Sequence, residues 1–294
     1  MILTSLIAIF LILLFPLDAL AWGPATHLEY ASRALGEIAV FAPAVKMLLT
    51  RFQDHFLYGS VAADITLGKG LRGYLYNCHN WTVAFDIFNH RAKKDHQKAF
   101  MLGYLGHLAA DTVSHNLFVP FKMIRSWKTK FLQHVYWEMR MDLSVPDKYW
   151  KLMEELSDPA FEEDDALLEG ALKRTFFSFK TNKKIFNSLL VIQRMRHYRT
   201  MALSVADKAA LKLEPHDIHD YKELATASVI DFLKNLENSY VLKADPTGKK
   251  RMVEARNVIR QIRAADQKGE MDRETEFSWL KNTKAKFQQE LYAS

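Results

Sequence analysis

From Thr26 onward, apolar positions return every three or four residues, the period of a helix that buries one face. The stretch "THLEYASRALGEIA" (26–39) reads as one such helix, with Thr26 as its N-cap. "HQKAFMLGYLGHLAADTVSHNLF" (96–118) is longer and far more apolar, which places it at the centre of the fold. "TKFLQHVYWEMRMDL" (129–143) reads as another, stopped by Ser144-Val145-Pro146. Turn-forming residues punctuate the chain at 156–165, 212–217 and 243–250, and the glycine-containing segment from Asp64 to His79 reads as a loop. No strand-like alternation and no internal repeat stands out. The pattern predicts an all-α helical bundle, with more polar helices after about residue 200 forming a C-terminal extension over 201–294.

Composition supports this reading and adds a compartment. Only 11 glycines and 8 prolines occur in 294 residues, and 49% hydrophobic residues allow a sizeable core. Residues 1–21, "MILTSLIAIFLILLFPLDALA", hold an apolar run, Pro16 and a small-x-small ending. The run falls short of the roughly 20 residues a spanning helix needs, so it reads as an export signal cleaved between Ala21 and Trp22, with a retained signal anchor as the alternative. The expected destination is the periplasm or the exterior. Losing Asp18 raises the formal charge of +6 by one, which favours anionic partners such as a phospholipid surface or nucleic acid. The single cysteine, Cys78, excludes an intrachain disulfide and reads as a small buried filler.

Ligand-type residues then change the picture. His107, Asp111 and His115 recur at four-residue steps, so they share a helix face within an apolar run. His134 and Glu138 are likewise four apart. Trp22 and His27 lie at the expected mature start, Asp64 ends an apolar turn, and His79 sits in "CHNW". Each alone has a structural explanation. Together, five histidines and three carboxylates on apolar segments are costly to bury without compensating cations, and neutral imidazoles with carboxylates suit zinc. His55, His90, His96, His197, His216 and His219 fall outside the pattern.

The motifs "WGPATH", "CHNW", "GHLAADTVSH" and "HVYWE" over residues 22–200 resemble the zinc-dependent phospholipase C family, related to fungal zinc nucleases that cut single strands and to the amino-terminal domain of glycosylphosphatidylinositol-specific phospholipase D. The resemblance implies a trinuclear zinc site at the bundle centre. Its first ion would take Trp22, through the liberated α-amino group and carbonyl oxygen, and His27. Asp64, His79, His107 and Asp111 match the positions around the second ion, with Asp111 bridging the pair, and His115, His134 and Glu138 match a third site. Only three residues separate Asp111 from His115, a spacing closer to the glycosylphosphatidylinositol-cleaving branch.

The chemistry so implied is phosphodiester hydrolysis of the EC 3.1.4 type, most simply phospholipase C cleavage of a phospholipid head group. Three zinc ions against Asp64, Asp111 and Glu138 leave about +3 for an anionic substrate, and water held between two of the ions serves as nucleophile. Asp64 is the candidate catalytic proton acceptor, with plain ligation the alternative. Two other readings remain: a single-strand nuclease using Tyr74, Tyr76 and Trp81 for stacking, and a non-catalytic metal-binding protein at a membrane. The stretch 116–131 mixes Phe118, Phe121, Trp127 and Phe131 with Lys122, Arg125, Lys128 and Lys130, which suits either a membrane interface or a helix with one packed and one solvated face. Arg256, Arg260 and Arg263 share a face in the extension.

Overall fold

A computed structural model of the chain describes residues 23–65, 79–129, 133–156, 159–171, 179–194 and 213–293. Residues 1–21, Trp22, Tyr74, Tyr76, Cys78, Lys130, Phe131 and the expected boundary near residue 200 lie outside the described residues. The described residues form helices and their connections with no strand, so the protein is all-α. None of these helices is long and apolar enough to cross a membrane.

Helix α1 (Pro24–Gly36) has Gly23 as its N-cap, three residues before the Thr26 its sequence pattern predicts, and Pro24 stands in the first turn. Thr26 is therefore inside the helix, and Asp142 Oδ1 accepts from both its backbone N–H and its hydroxyl, each at 2.9 Å. A Cβ on Gly23 would lie 2.3 Å from the Asp142 carboxyl carbon, so the carboxylate sits where a side chain would otherwise be. Helices α2 (Pro43–Arg51) and α3 (Gln53–Ala62) follow, then α4 (Trp81–Asp86) with a π turn over Ile87–Arg91.

Helix α5 (Asp95–Val113) widens into a π turn over Ser114–Phe118 and continues as α6 (Val119–Arg125). The sequence reads 96–118 as one regular helix. Pro120 supplies the reason for the difference: it has no N–H to donate, and its ring crowds the carbonyl four residues back. The ladder slips by one residue, and Val119 N–H donates to Ser114 O.

The remaining helices are α7 (Gln133–Asp142), α8 (Asp147–Glu155), α9 (Glu162–Ala171), α10 (Phe179–Arg194), α11 (Pro215–Asn235), α12 (Lys249–Gln267) and α13 (Arg273–Glu290). Residues 162–165, read in sequence as punctuation, form the first turn of α9, where four carboxylates face the positive end of the helix dipole.

The central contact is α3 against α5. Ser60 meets His107, and a Cβ on either Gly59 or Gly103 would lie 1.9 Å from a carbonyl oxygen of the opposite helix, Phe100 O or Phe56 O. His55 meets His96 near the starts of the two helices and Asp64 meets His107 toward their ends, so the helices run parallel, and at the glycines they touch backbone to backbone. Helix α11 crosses α5 and α1, while α12 and α13 pack on α6. One hydrophobic cluster joins Phe56, Phe100 and Leu105 to Phe232, Ile259 and Phe287 from the C-terminal helices. Lys222 pairs with Glu29 at 2.5 Å, tying α11 to α1, and buried Lys122 pairs with Asp217, tying α6 to α11.

These contacts decide the reading of residues 116–129, the described part of that stretch. Phe118, Phe121 and Trp127 are buried in the core, so they form the packed face of a helix and offer no apolar surface to a bilayer. Trp81 stacks on Phe232 with ring centroids 6.1 Å apart, and its indole N–H donates to Ala244 O at 2.9 Å. Arg263 donates to the carbonyls of Trp127 and Thr129.

The α3–α5 crossing is testable. Gly103→Ala is expected to destabilise the metal-free protein by about 3 kcal/mol, because backbone must move. Gly106→Ala, whose Cβ would meet only Val229 Cγ1 at 3.4 Å, is expected to be neutral or stabilising by up to about 1 kcal/mol. Urea unfolding of the two variants measures both.

Candidate metal centre

Eight of the nine residues singled out from the sequence as metal ligands are described, and the structure gathers all eight into compact groups. His27, His107 and Asp111 offer ligand atoms within 4.8 Å of one another, as do Asp64, His79 and His107, and as do His115, His134 and Glu138. Trp22, the ninth, lies outside the described residues, immediately before the Gly23 cap that Asp142 holds.

The first two groups share His107. Helix α1 delivers His27, whose ring stacks on His107 with centroids 3.7 Å apart and 18° between planes. Asp64 follows the end of α3, and His79 precedes α4. Asp111 stands between the groups: its Oδ1 is 3.3 Å from His27 Nε2, while its Oδ2 is 3.0 Å from His79 Nε2 and 3.2 Å from His107 Nε2. Asp64 Oδ1 lies 3.4 Å from His79 Nε2 and 3.8 Å from His107 Nε2. A carboxylate with one oxygen toward each group is the arrangement a bridging ligand needs.

The third group forms where α5 widens into the π turn. His115, one residue into the widened segment, faces α7, where His134 Nε2 lies 2.6 Å and His115 Nε2 lies 3.6 Å from Glu138 Oε1. The His115 and His134 rings meet edge to face at 5.6 Å.

Backbone carbonyls fix which nitrogen of each ring is offered. His107 Nδ1 is 2.9 Å from Ser60 O, and His115 Nδ1 is 2.6 Å from Pro246 O. A carbonyl only accepts, so each Nδ1 carries the proton and each Nε2 presents a lone pair to its group. Ser60 and Pro246 were not legible as functional positions, since they act through main-chain atoms. Pro246 sits in the turn before α12, which approaches so closely that a Cβ on Gly248 would lie 2.2 Å from His115 O. Gly248 has φ +54°, a left-handed conformation that favours glycine.

The electrostatics test whether this donor set suits a cation. Asp64, Asp111 and Glu138 are all at most 4% exposed. Among the described residues, Asp111 and Glu138 pair with imidazoles and with no lysine or arginine. Burial pushes the Glu138 carboxyl well above its usual range, against the opposing pull of His115. Burial also acts to raise Asp111, but His107, His27 and His79 outweigh it and hold this carboxyl well below its usual range. Burial, then the neighbouring His107, lowers His27 to about 4, so its ring is neutral at pH 7. Imidazoles converging on buried carboxylates fit zinc-class divalent ions.

Comparison with known proteins agrees with this geometry. Residues 26–184 match the family described as zinc dependent phospholipase C. No curated protein and no solved structure gives a match. The matched span holds all eight gathered residues but ends before the Pro246 turn.

Two measurements check the support of these rings. Gly248→Ala is expected to weaken metal binding at His115 by about 10–100-fold, read by metal retention on dialysis. His27 takes up its proton near 6.5 when unfolded and near 4 when folded, so acidification through that window favours the unfolded chain. The metal-free protein is therefore expected to lose more stability between pH 7 and 5 than its His27→Gln variant, compared by urea midpoints.

Proposed function

The chain belongs to the zinc-dependent phospholipase C family, and on that premise we propose that it hydrolyses phosphodiesters of the phospholipid type, releasing the phosphorylated head group, with three zinc ions held at this centre. The observation that carries the reading is the convergence of eight ligand-type side chains from α1, α5, α7 and the segments beside α3 and α4 into three adjoining groups. Zinc, when bound there, supplies positive charge against an anionic phosphodiester and acidifies water. His27 contributes a neutral ring and His107 an inward-facing Nε2, Asp111 spans two groups, and Asp64 is placed both to ligate and to accept a proton. Trp22 completes the set through its α-amino group once residues 1–21 are removed, which ties assembly of the centre to export. Trp81, packed on Phe232, does not favour a stacking platform for single-stranded nucleic acid.

The test is zinc content together with a substrate panel. The chain beginning at Trp22 is expected to hold three zinc ions at the centre and to cleave phosphatidylcholine or glycosylphosphatidylinositol far faster than single-stranded DNA. A chain retaining residues 1–21 is expected to bind one ion fewer there. Preference for DNA would assign the protein to the nuclease branch, and zinc without cleavage of any substrate would remove the hydrolase reading.

A further inference from the structure

A fourth cluster lies at the other end of the α3–α5 pair. His55 near the start of α3, His96 near the start of α5 and Asp164 in the first turn of α9 place ligand atoms within 4.8 Å of one another. None of them stood out in sequence, because three segments far apart in the chain contribute one residue each. Asp164 is fully buried. Its Oδ2 is 2.6 Å from His55 Nδ1, and its Oδ1 is 3.2 Å from His96 Nδ1. The two rings stand 4.8 Å apart.

His96 carries the decisive feature. Its Nδ1 faces Asp164, and its Nε2 faces a second carboxylate, Glu163 Oε2, at 2.9 Å. A neutral imidazole has one N–H and satisfies only one of them. A cation is therefore required, either a proton on the ring or an ion among the three donors. The second arrangement satisfies every group: His96 donates Nε2–H to Glu163 and turns the Nδ1 lone pair inward, as a metal-bound histidine held by an outer carboxylate does. Glu163 is itself held by Lys94 at 2.8 Å. Its shortest contact equals the shortest in the His115, His134 and Glu138 group, also 2.6 Å. Phe52 and Phe161 stand edge-on to His55, at 6.0 and 5.3 Å, giving the cluster an apolar wall.

We propose that His55 Nδ1, His96 Nδ1 and the Asp164 carboxylate form a further divalent-metal site of the zinc class, separate from the central groups, with Glu163 orienting His96. Two imidazoles and one carboxylate are borderline donors suited to zinc at about 2 Å. The His55 and His96 side chains are 23% and 20% exposed, which leaves an open side for a water as fourth ligand. The ion fastens α9 onto the starts of α3 and α5, so that the pair is held at both ends with the Gly59–Gly103 contact between them.

Native mass spectrometry of the chain beginning at Trp22, dialysed against micromolar zinc, tests this. His96→Gln is expected to hold one zinc ion fewer than the parent, while His107→Ala, which disrupts the central groups, is expected to keep the ion at Asp164. Equal zinc in the parent and His96→Gln overturns the proposal and assigns the cluster to a protonated imidazole. If His96→Gln does not fold, diffraction from parent crystals at the zinc edge decides. An anomalous peak between His55, His96 and Asp164 supports the site. Its absence, or its appearance only after soaking in millimolar zinc as an adventitious ion, overturns it. Because the count compares parent with variant, it stands apart from whether the central groups hydrolyse phosphodiesters.

Discussion

Two parallel helices meeting backbone to backbone at Gly59 and Gly103 set the scale of everything around them. At that separation the carbonyl of Ser60 reaches the His107 ring, and Asp64, just past the end of α3, reaches the same imidazole. A larger residue at either crossing point would push α3 outward, and both contacts would open together. A parallel pair also needs a connection that returns along its length, and His79 and α4 fall within that connection in the chain. The tight crossing thus fixes distances within the second group, while the long return supplies its remaining ligand.

Charge is the second constraint. Asp111 and Glu138 sit in the interior and face imidazoles, and an imidazole neutralises a carboxylate only when protonated. Burial works against that proton at His27 and outweighs the pull of His115 at Glu138, whereas at Asp111 the imidazoles prevail, so the centre as a whole is left incompletely compensated. The stable solution is a cation that takes the lone pairs of the rings and the charge of the carboxylates at once. Carbonyls at Ser60 and Pro246 prepare for it by occupying the opposite nitrogen of each ring. Orientation is therefore set by groups that carry no side-chain signature.

That division explains what the sequence disclosed. His107, Asp111, His134 and Glu138 were legible because helical spacing alone puts each pair on one face, and the all-α class followed from the same period. Thr26 as N-cap and a regular helix through residue 118 were readings that other groups overrode: Asp142 occupies the space at Gly23, and Pro120 drives the π turn in which His115 lies. The aromatic and basic stretch after His115 was ambiguous because composition cannot tell a packed face from an exposed one, and only the cover of α11, α12 and α13 resolves it. Convergence of single residues from distant segments, as at His55, His96 and Asp164, leaves no spacing to read.

The C-terminal helices bear on the centre more directly than their place in the chain implies. The family match ends at residue 184, yet the ring of His115 is oriented by Pro246, and the turn that carries Pro246 is held by Asn116, whose amide donates to Asp245 O at 2.7 Å. Gly248 lets that turn lie against the His115 backbone, and α12 starts immediately after it. Helix α11 reinforces the same side through Lys222 on Glu29 and Asp217 on Lys122, fastening the helices that deliver His27 and follow His115. His115 lies in the widened turn beyond the regular end of α5, and its ring direction is set by the Pro246 carbonyl. Residues 213–293 provide it, so the third group depends on chain segments that contribute no ligand to it.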